Sequence, residues 1–263
     1  MARRLLAAAL ACLVSPAFAA PVERPVEWTI DGESFTGTIV YDDAVATKRP
    51  GLLMVPNWRG VTAPSVELAK RIAADDYVIL VADVYGTQVR PETNEAAGKV
   101  AGALRSDPAL LRSRTAKAVE VLRAQAGNAP LDAGRVGAIG FCFGGTAVLE
   151  LARSGADLAG VASFHGGLDT SMRAKEDVMQ TPVLVLNGAA DKAVTDEDIE
   201  EFEREMDLAN ADWQFVNFGG AVHCFAEPRA GNDPASNCRY DERAATRAHG
   251  MMEDFFRRQF ASE

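Results

Sequence analysis

The stretch Gly140-Phe141-Cys142-Phe143-Gly144-Gly145 joins an apolar run, Arg135 to Ile139, to a segment of helical character, Thr146 to Arg153. The run suits a buried strand and the later segment a helix. So tight a reversal holds its central residue in strained backbone and leaves no room for side chains two positions away, where Gly140 and Gly144 have none. Gly145 lets the helix lie close against the sheet. The turn lifts the Cys142 thiol clear of the strand, and the helix N-terminus behind it favours a thiolate. This is a nucleophile elbow with sulfur in place of the hydroxyl, an arrangement for attack on a carbonyl. The plainer alternative is a buried cysteine in a glycine-rich strand-to-helix turn.

An elbow of this kind belongs in an α/β sheet, and the remaining pattern agrees. Val26 to Ile30 and Gly37 to Tyr41 predict an antiparallel hairpin, with Asp31-Gly32 as its turn. From there strands alternate with helices. Leu52 to Val55, Val78 to Ala82, Leu158 to Phe164, Val183 to Leu186 and Trp213 to Phe218 read as strands. Helices are predicted around Leu68 to Ala73, within Pro91 to Ala126, from the capping box Thr195 and Asp198, and from Arg243 to Phe260. Strands apolar throughout, with helices between them, mean a mostly parallel sheet covered on both faces. In such a sheet the ligand site lies off the carboxyl ends of the strands, so functional residues belong in the loops that come after strands.

The formal charge of −10 and the absence of any basic block exclude nucleic acid as a natural partner. Residues 1–19 differ in kind: Arg3 and Arg4, an apolar core from Leu5 to Val14, and Ala17-Phe18-Ala19 make a secretory signal, and residues 20–263 one domain. No other segment is long and apolar enough to span a bilayer, so the expected protein is exported, periplasmic or secreted, with no membrane attachment after signal removal. With Cys12 removed, Cys142, Cys224 and Cys238 remain. An odd number in an exported chain asks for one thiol with its own task. Cys224 and Cys238 flank a loop broken by Pro228, Gly231 and Pro234, and a disulfide between them would tie it down, leaving Cys142 free. Two independent free thiols are the alternative.

A cysteine nucleophile needs a base, and the base needs a partner that holds its tautomer. The chain has 3 histidines. His249 lies inside the last predicted helix, away from any strand end. His165 follows a strand and could line the pocket or act as base, while His223 follows the last strand through Gly219-Gly220 and fits the order nucleophile, acid, histidine. Between Cys142 and His223, Asp191 follows a strand, while Asp169 and Asp177 sit in less regular surroundings. The oxyanion donors expected are the Phe143 amide and an amide of the loop Pro56 to Gly60, with Trp58 the candidate.

With the elbow, Asn187-Gly188-Ala189-Ala190-Asp191, His223-Cys224-Phe225 and Asp83-Val84-Tyr85, the chain resembles the dienelactone hydrolase family over about residues 25 to 260. The resemblance implies an α/β-hydrolase fold, a Cys142, His223, Asp191 triad, no metal or organic cofactor, and hydrolysis of a small-molecule ester or lactone through an acyl-cysteine. It also implies a substrate pocket near Asn57, Tyr85 and His165. Asn57 stands where that family carries a glutamate beside the thiol, and Glu227 where it carries a carboxylate-binding arginine. Arg59, Arg90 and Arg229 are the substitutes in view. Alternatives on the same scaffold are a thioesterase or acyl-peptide hydrolase, or an inactive secreted ligand-binding protein. The sequence leaves the oligomeric state open.

Overall fold

The structure, a computed structural model, describes residues 21–261 apart from 45 and 75. The expected signal, residues 1–19, lies outside the described residues. Strands β1 (Val22–Ile30) and β2 (Glu33–Tyr41) form the hairpin in a register running from Val22 opposite Tyr41 to Ile30 opposite Glu33. Asp31 and Gly32 both take positive φ, 50° and 82°, as a two-residue turn matched to strand twist requires. Along β1 the exposed charges alternate with buried Val26 and Trp28, so one face of the ribbon is solvated and the other packed.

The remaining elements are β3 (Arg49–Val55), α1 (Ala63–Ala73), β4 (Val78–Val81), α2 (Asn94–Arg105), α3 (Pro108–Arg123), β5 (Leu131–Phe141), α4 (Phe143–Arg153), β6 (Val161–Phe164), β7 (Val183–Gly188), α5 (Asp196–Leu208), β8 (Trp213–Phe218) and α6 (Glu242–Gln259). They build one 8-stranded sheet in the order β1-β2-β4-β3-β5-β6-β7-β8. The hairpin joins antiparallel through β2 to β4, and every pairing from β4 to β8 is parallel. As predicted, the sheet is covered on both faces: α1 and α6 pack on one, α2 to α5 on the other.

The capping box of Thr195 with Asp198 opens α5, and Ala245, Ala248, Met252 and Phe256 of α6 face inward. The stretch read as carrying at least one helix holds two. Asp107 accepts the Leu110 amide at 3.0 Å and Pro108 occupies the first helical turn, so α3 begins anew where α2 ends. The strand ending at Phe164 is shorter than expected, starting at Val161 instead of Leu158.

The helix behind the elbow is anchored from below. Arg153, at its C-terminal end and 2 % exposed, pairs with Glu150 at 3.0 Å and with Glu205 of α5 at 2.9 Å, and Arg112 of α3 adds a second cation to Glu150. Three helices are thereby locked in register beneath the site. Among the described residues, no helix is long and apolar enough to cross a membrane.

Candidate active site

Cys142 follows β5 directly and caps α4 with φ 55° and ψ −118°, a strained backbone for a residue with a side chain. The flanking glycines are obligatory by contact. A Cβ on Gly140 would stand 2.0 Å from the Gly144 carbonyl oxygen, and one on Gly144 would stand 1.9 Å from that of Val55. Phe143 is the first residue of α4, so its amide has no partner within the helix.

Two further loops converge on the sulfur. Beyond β7 the Asp191 amide donates to Gly188 O at 3.0 Å, and beyond β8 the chain turns at Gly220, φ 80°. The Ala190 amide donates to Ala221 O at 2.8 Å, which laces the two loops together. The result is a continuous chain of contacts: His223 Nε2 lies 3.0 Å from Cys142 Sγ, and His223 Nδ1 lies 2.7 Å from Asp191 Oδ2. The second carboxylate oxygen of Asp191 accepts from the Ala193 amide at 2.8 Å and from Asn237 Nδ2 at 3.0 Å.

These contacts set the electrostatics. Burial opposes a charge on His223, but its hydrogen bonds to Asp191 and Cys142 outweigh it and push the imidazole up to about 10. Burial likewise opposes the Asp191 charge, and the His223 hydrogen bond and charge hold its carboxyl below the ordinary range all the same. An imidazolium is therefore held between a carboxylate and a sulfur.

Cys224 and Cys238 form a disulfide, and Cys142 is free. The bond fastens the strand-like segment at Cys238, which bridges to His223 in parallel, so it staples the loop carrying Asn237 against the loop carrying the histidine.

Asn57, expected in the substrate pocket, and Trp58, expected as an oxyanion donor, line a cavity of about 900 Å³ that also includes Cys142, Phe143 and His223 in its wall. Tyr85 and His165, expected to line it, do not. Tyr85 is 3 % exposed and donates its hydroxyl to Trp58 O at 3.1 Å, which supports the loop from beneath. His165, 0 % exposed, lies behind the elbow, where the Cys142 amide is shared between Phe164 O at 3.0 Å and His165 Nδ1 at 3.1 Å. Its burial, with the nearby His223 charge, drives its pKa well below 6.5, so the ring is neutral and carries its hydrogen on Nε2. His249 packs against Phe141 and Phe164. Asp169 is exposed at the cavity rim and Asp177 is exposed on the surface. Arg90 is turned to Asp83 at 2.9 Å, whereas Arg59, Arg105 and Arg229 line the cavity.

Two features escaped the sequence. Asn237 supports Asp191 from 46 positions away, with no local signal in the chain. Glu227 sits in the cavity wall, accepts a hydrogen bond from Asn57 Nδ2, and turns its other oxygen toward His165 Nε2 at 3.9 Å. Its position four residues after His223 marks it in the sequence, but the meeting with Asn57 and His165 is purely tertiary. Among the described residues there is no group of three or more His, Cys, Asp or Glu side chains placed to hold a metal ion.

Residues 35–260 match the model of the dienelactone hydrolase family. The solved structure called m3DLH is 32% identical, with a TM-score of 0.83 over 92% of this chain and 100% of that one. A dienelactone hydrolase-like promiscuous phosphotriesterase from metagenomic libraries is 31% identical, with a TM-score of 0.82 over 92% of this chain and 99% of that one. A probable 2-oxo-3-(5-oxofuran-2-ylidene)propanoate lactonase from Bradyrhizobium sp. is 25% identical over 77% of this chain and 84% of its own length. With its α/β-hydrolase fold and a match spanning nearly the whole described chain, this protein belongs to the dienelactone hydrolase family of hydrolases.

Proposed function

We propose that the chain hydrolyses small carboxylic esters or lactones through an acyl-cysteine formed on Cys142. The observation that carries this reading is the single line of contacts from Asp191 through His223 to the Cys142 sulfur, 2.7 Å and 3.0 Å long. The sulfur attacks the carbonyl carbon, and the carbonyl electron pair moves onto oxygen, where the Phe143 and Trp58 amides receive it. The tetrahedral species collapses, the C–O bond to the leaving group breaks, and the His223 imidazolium gives its Nε2 proton to the departing alkoxide. In a lactone that alkoxide stays tethered to the acyl group. Water then attacks the thioester while His223 Nε2 takes its proton. Collapse of the second intermediate releases the acid and returns the sulfur, with Asp191 stabilising the charged ring throughout.

The cavity is large enough for a substrate well beyond an acetyl ester, and Trp58, Phe143 and Val194 give it apolar wall. Export is part of the same reading: residues 1–19 form the signal, and a disulfide beside the site suits an oxidising compartment. The direct test is the hydrolysis rate of short activated esters and simple lactones by Cys142→Ala. Loss of turnover with retained folding is expected; unchanged turnover would remove the sulfur from the scheme.

A second reading, phosphotriester hydrolysis at the same sulfur, is favoured by the 31% identity to the metagenomic phosphotriesterase. Comparing kcat/KM for a p-nitrophenyl carboxylate ester and an aryl dialkyl phosphate separates the two. The ester is expected to be the better substrate, and a preference for the phosphate would exchange their order.

A further inference from the structure

We propose that Glu227 is a positioning residue for this hydrolysis: its carboxylate gathers N–H donors from both sides of the oxyanion pocket and holds the Trp58 loop and the cysteine elbow in one register. The proposal rests on the acyl-cysteine reading, and the hydrogen-bond polarity around Glu227 carries it. On one side, Asn57 Nδ2 donates to Glu227 Oε2, and Asn57 Oδ1 accepts the Arg59 amide at 3.0 Å. Both groups of Asn57 are thus committed, and they fix the turn whose middle residue is Trp58. On the other side, His165 Nδ1 accepts the Cys142 amide at 3.1 Å, so Nε2 carries the hydrogen and faces Glu227 Oε1 at 3.9 Å. Both of these facing atoms are buried and have no other hydrogen-bond partner.

The Asn57 amide therefore donates to Glu227, and the His165 Nε2 hydrogen faces the same carboxylate. Only a side chain with two acceptor oxygens and no donor satisfies both approaches, and a carboxylate is that group. Burial pushes Glu227 up to about 6, so at neutral pH the ionised form occupies the site. At 3.9 Å the neutral His165 ring is beyond hydrogen-bond distance, so closing the gap by about 1 Å would complete the clamp.

This polarity makes an unusual prediction. In Glu227→Gln the new NH2 must face either Asn57 Nδ2 or His165 Nε2, donor against donor. In Asn57→Asp a second carboxylate faces Glu227, and once the pair has lost the proton it can share, at alkaline pH, the two repel. In the double variant the introduced amide donates to the introduced carboxylate, whose other oxygen accepts the Arg59 amide, while the amide oxygen accepts from His165 Nε2. Every group then has a partner of the right sense.

The test is ester hydrolysis and thermal melting of the wild type, both single variants and the double variant. Each single variant is expected to lose about tenfold or more in kcat with KM little changed, Glu227→Gln through its misplaced donor and Asn57→Asp, at alkaline pH, through the facing carboxylates. The double variant is expected to recover kcat to within about threefold of wild type and to regain the melting temperature that the singles lose. A double variant no better than the worse single in either measurement, or a Glu227→Gln protein indistinguishable from wild type, would overturn the proposal. The melting comparison reads the polarity without turnover, and Cys142→Ala reads the nucleophile alone, so failure of one reading is told apart from failure of the other.

Discussion

Gly144→Ala is the sharpest perturbation of the elbow, because the added methyl has nowhere to go. Its Cβ would lie 1.9 Å from Val55 O, 2.5 Å from Val55 C and 2.6 Å from Pro56 O, all backbone atoms at the end of β3 where the Trp58 loop begins. Restoring even a 3.0 Å contact requires α4 and that strand end to separate by about 1 Å. The strand is central in the sheet, between β4 and β5, so it yields little, and overpacking of this kind costs about 1–3 kcal/mol. The same displacement carries the Trp58 amide away from the Phe143 amide. A misplacement of about 1 Å in a reacting geometry costs on the order of 100-fold in rate. Gly250→Ala in α6 is the matched control: nothing lies within 4 Å of its added Cβ, and the change should stabilise by up to about 1 kcal/mol without touching turnover. The assay is kcat for an activated acetyl ester together with the urea midpoint of all three proteins. If Gly144→Ala kept wild-type turnover and stability, the elbow's close packing and the role assigned to the loop would both be wrong.

The same geometry sets four further outcomes. Because His223 is raised from 6.5 to about 10, the stability its charge contributes is complete below pH 6.5 and lost as pH rises toward 10. The urea midpoint of the wild type should fall across that window relative to His223→Gln, and parallel curves would count against the ion pair. In Cys142→Ala the imidazole loses one of the contacts that hold its proton, so its NMR titration should move down from about 10; an unmoved titration would show that the sulfur does not face the ring. Replacing both Cys224 and Cys238 by serine should cost about 3 kcal/mol in urea unfolding, the value for a loop of this length, and lower kcat because Asn237 and His223 lose their common anchor. Arg153→Ala leaves Glu150 and Glu205 buried without their shared cation and should cost about 3–5 kcal/mol; a loss under about 1 kcal/mol would show the cluster to be solvated.

Much of this was legible in the chain because its signals are local. Asp31-Gly32 announces its hairpin, Thr195 and Asp198 their helix, and Gly140, Gly144 and Gly145 an elbow with no room for side chains at those positions. His223 and Asp191 were reachable because a parallel sheet restricts function to strand ends, and few titratable residues lie there. His165 and Tyr85 were misplaced for the opposite reason. Both also come after strands, and the sequence does not say on which side of a loop a ring will settle; both turned inward, one to the Cys142 amide and one to the Trp58 carbonyl. Glu227 read as the loss of a cation from the pocket, because its partners Asn57 and His165 come from distant loops that meet only in the folded sheet.

Rapid-quench mass spectrometry of wild-type protein mixed briefly with an activated acetyl ester reads whether the proposed acyl group forms on the Cys142 sulfur. One added acetyl group is expected, confined to the peptide containing Cys142 and absent from Cys142→Ala. Acetylation of another residue, or turnover that proceeds with no trapped adduct on that peptide at any quench time, would contradict it.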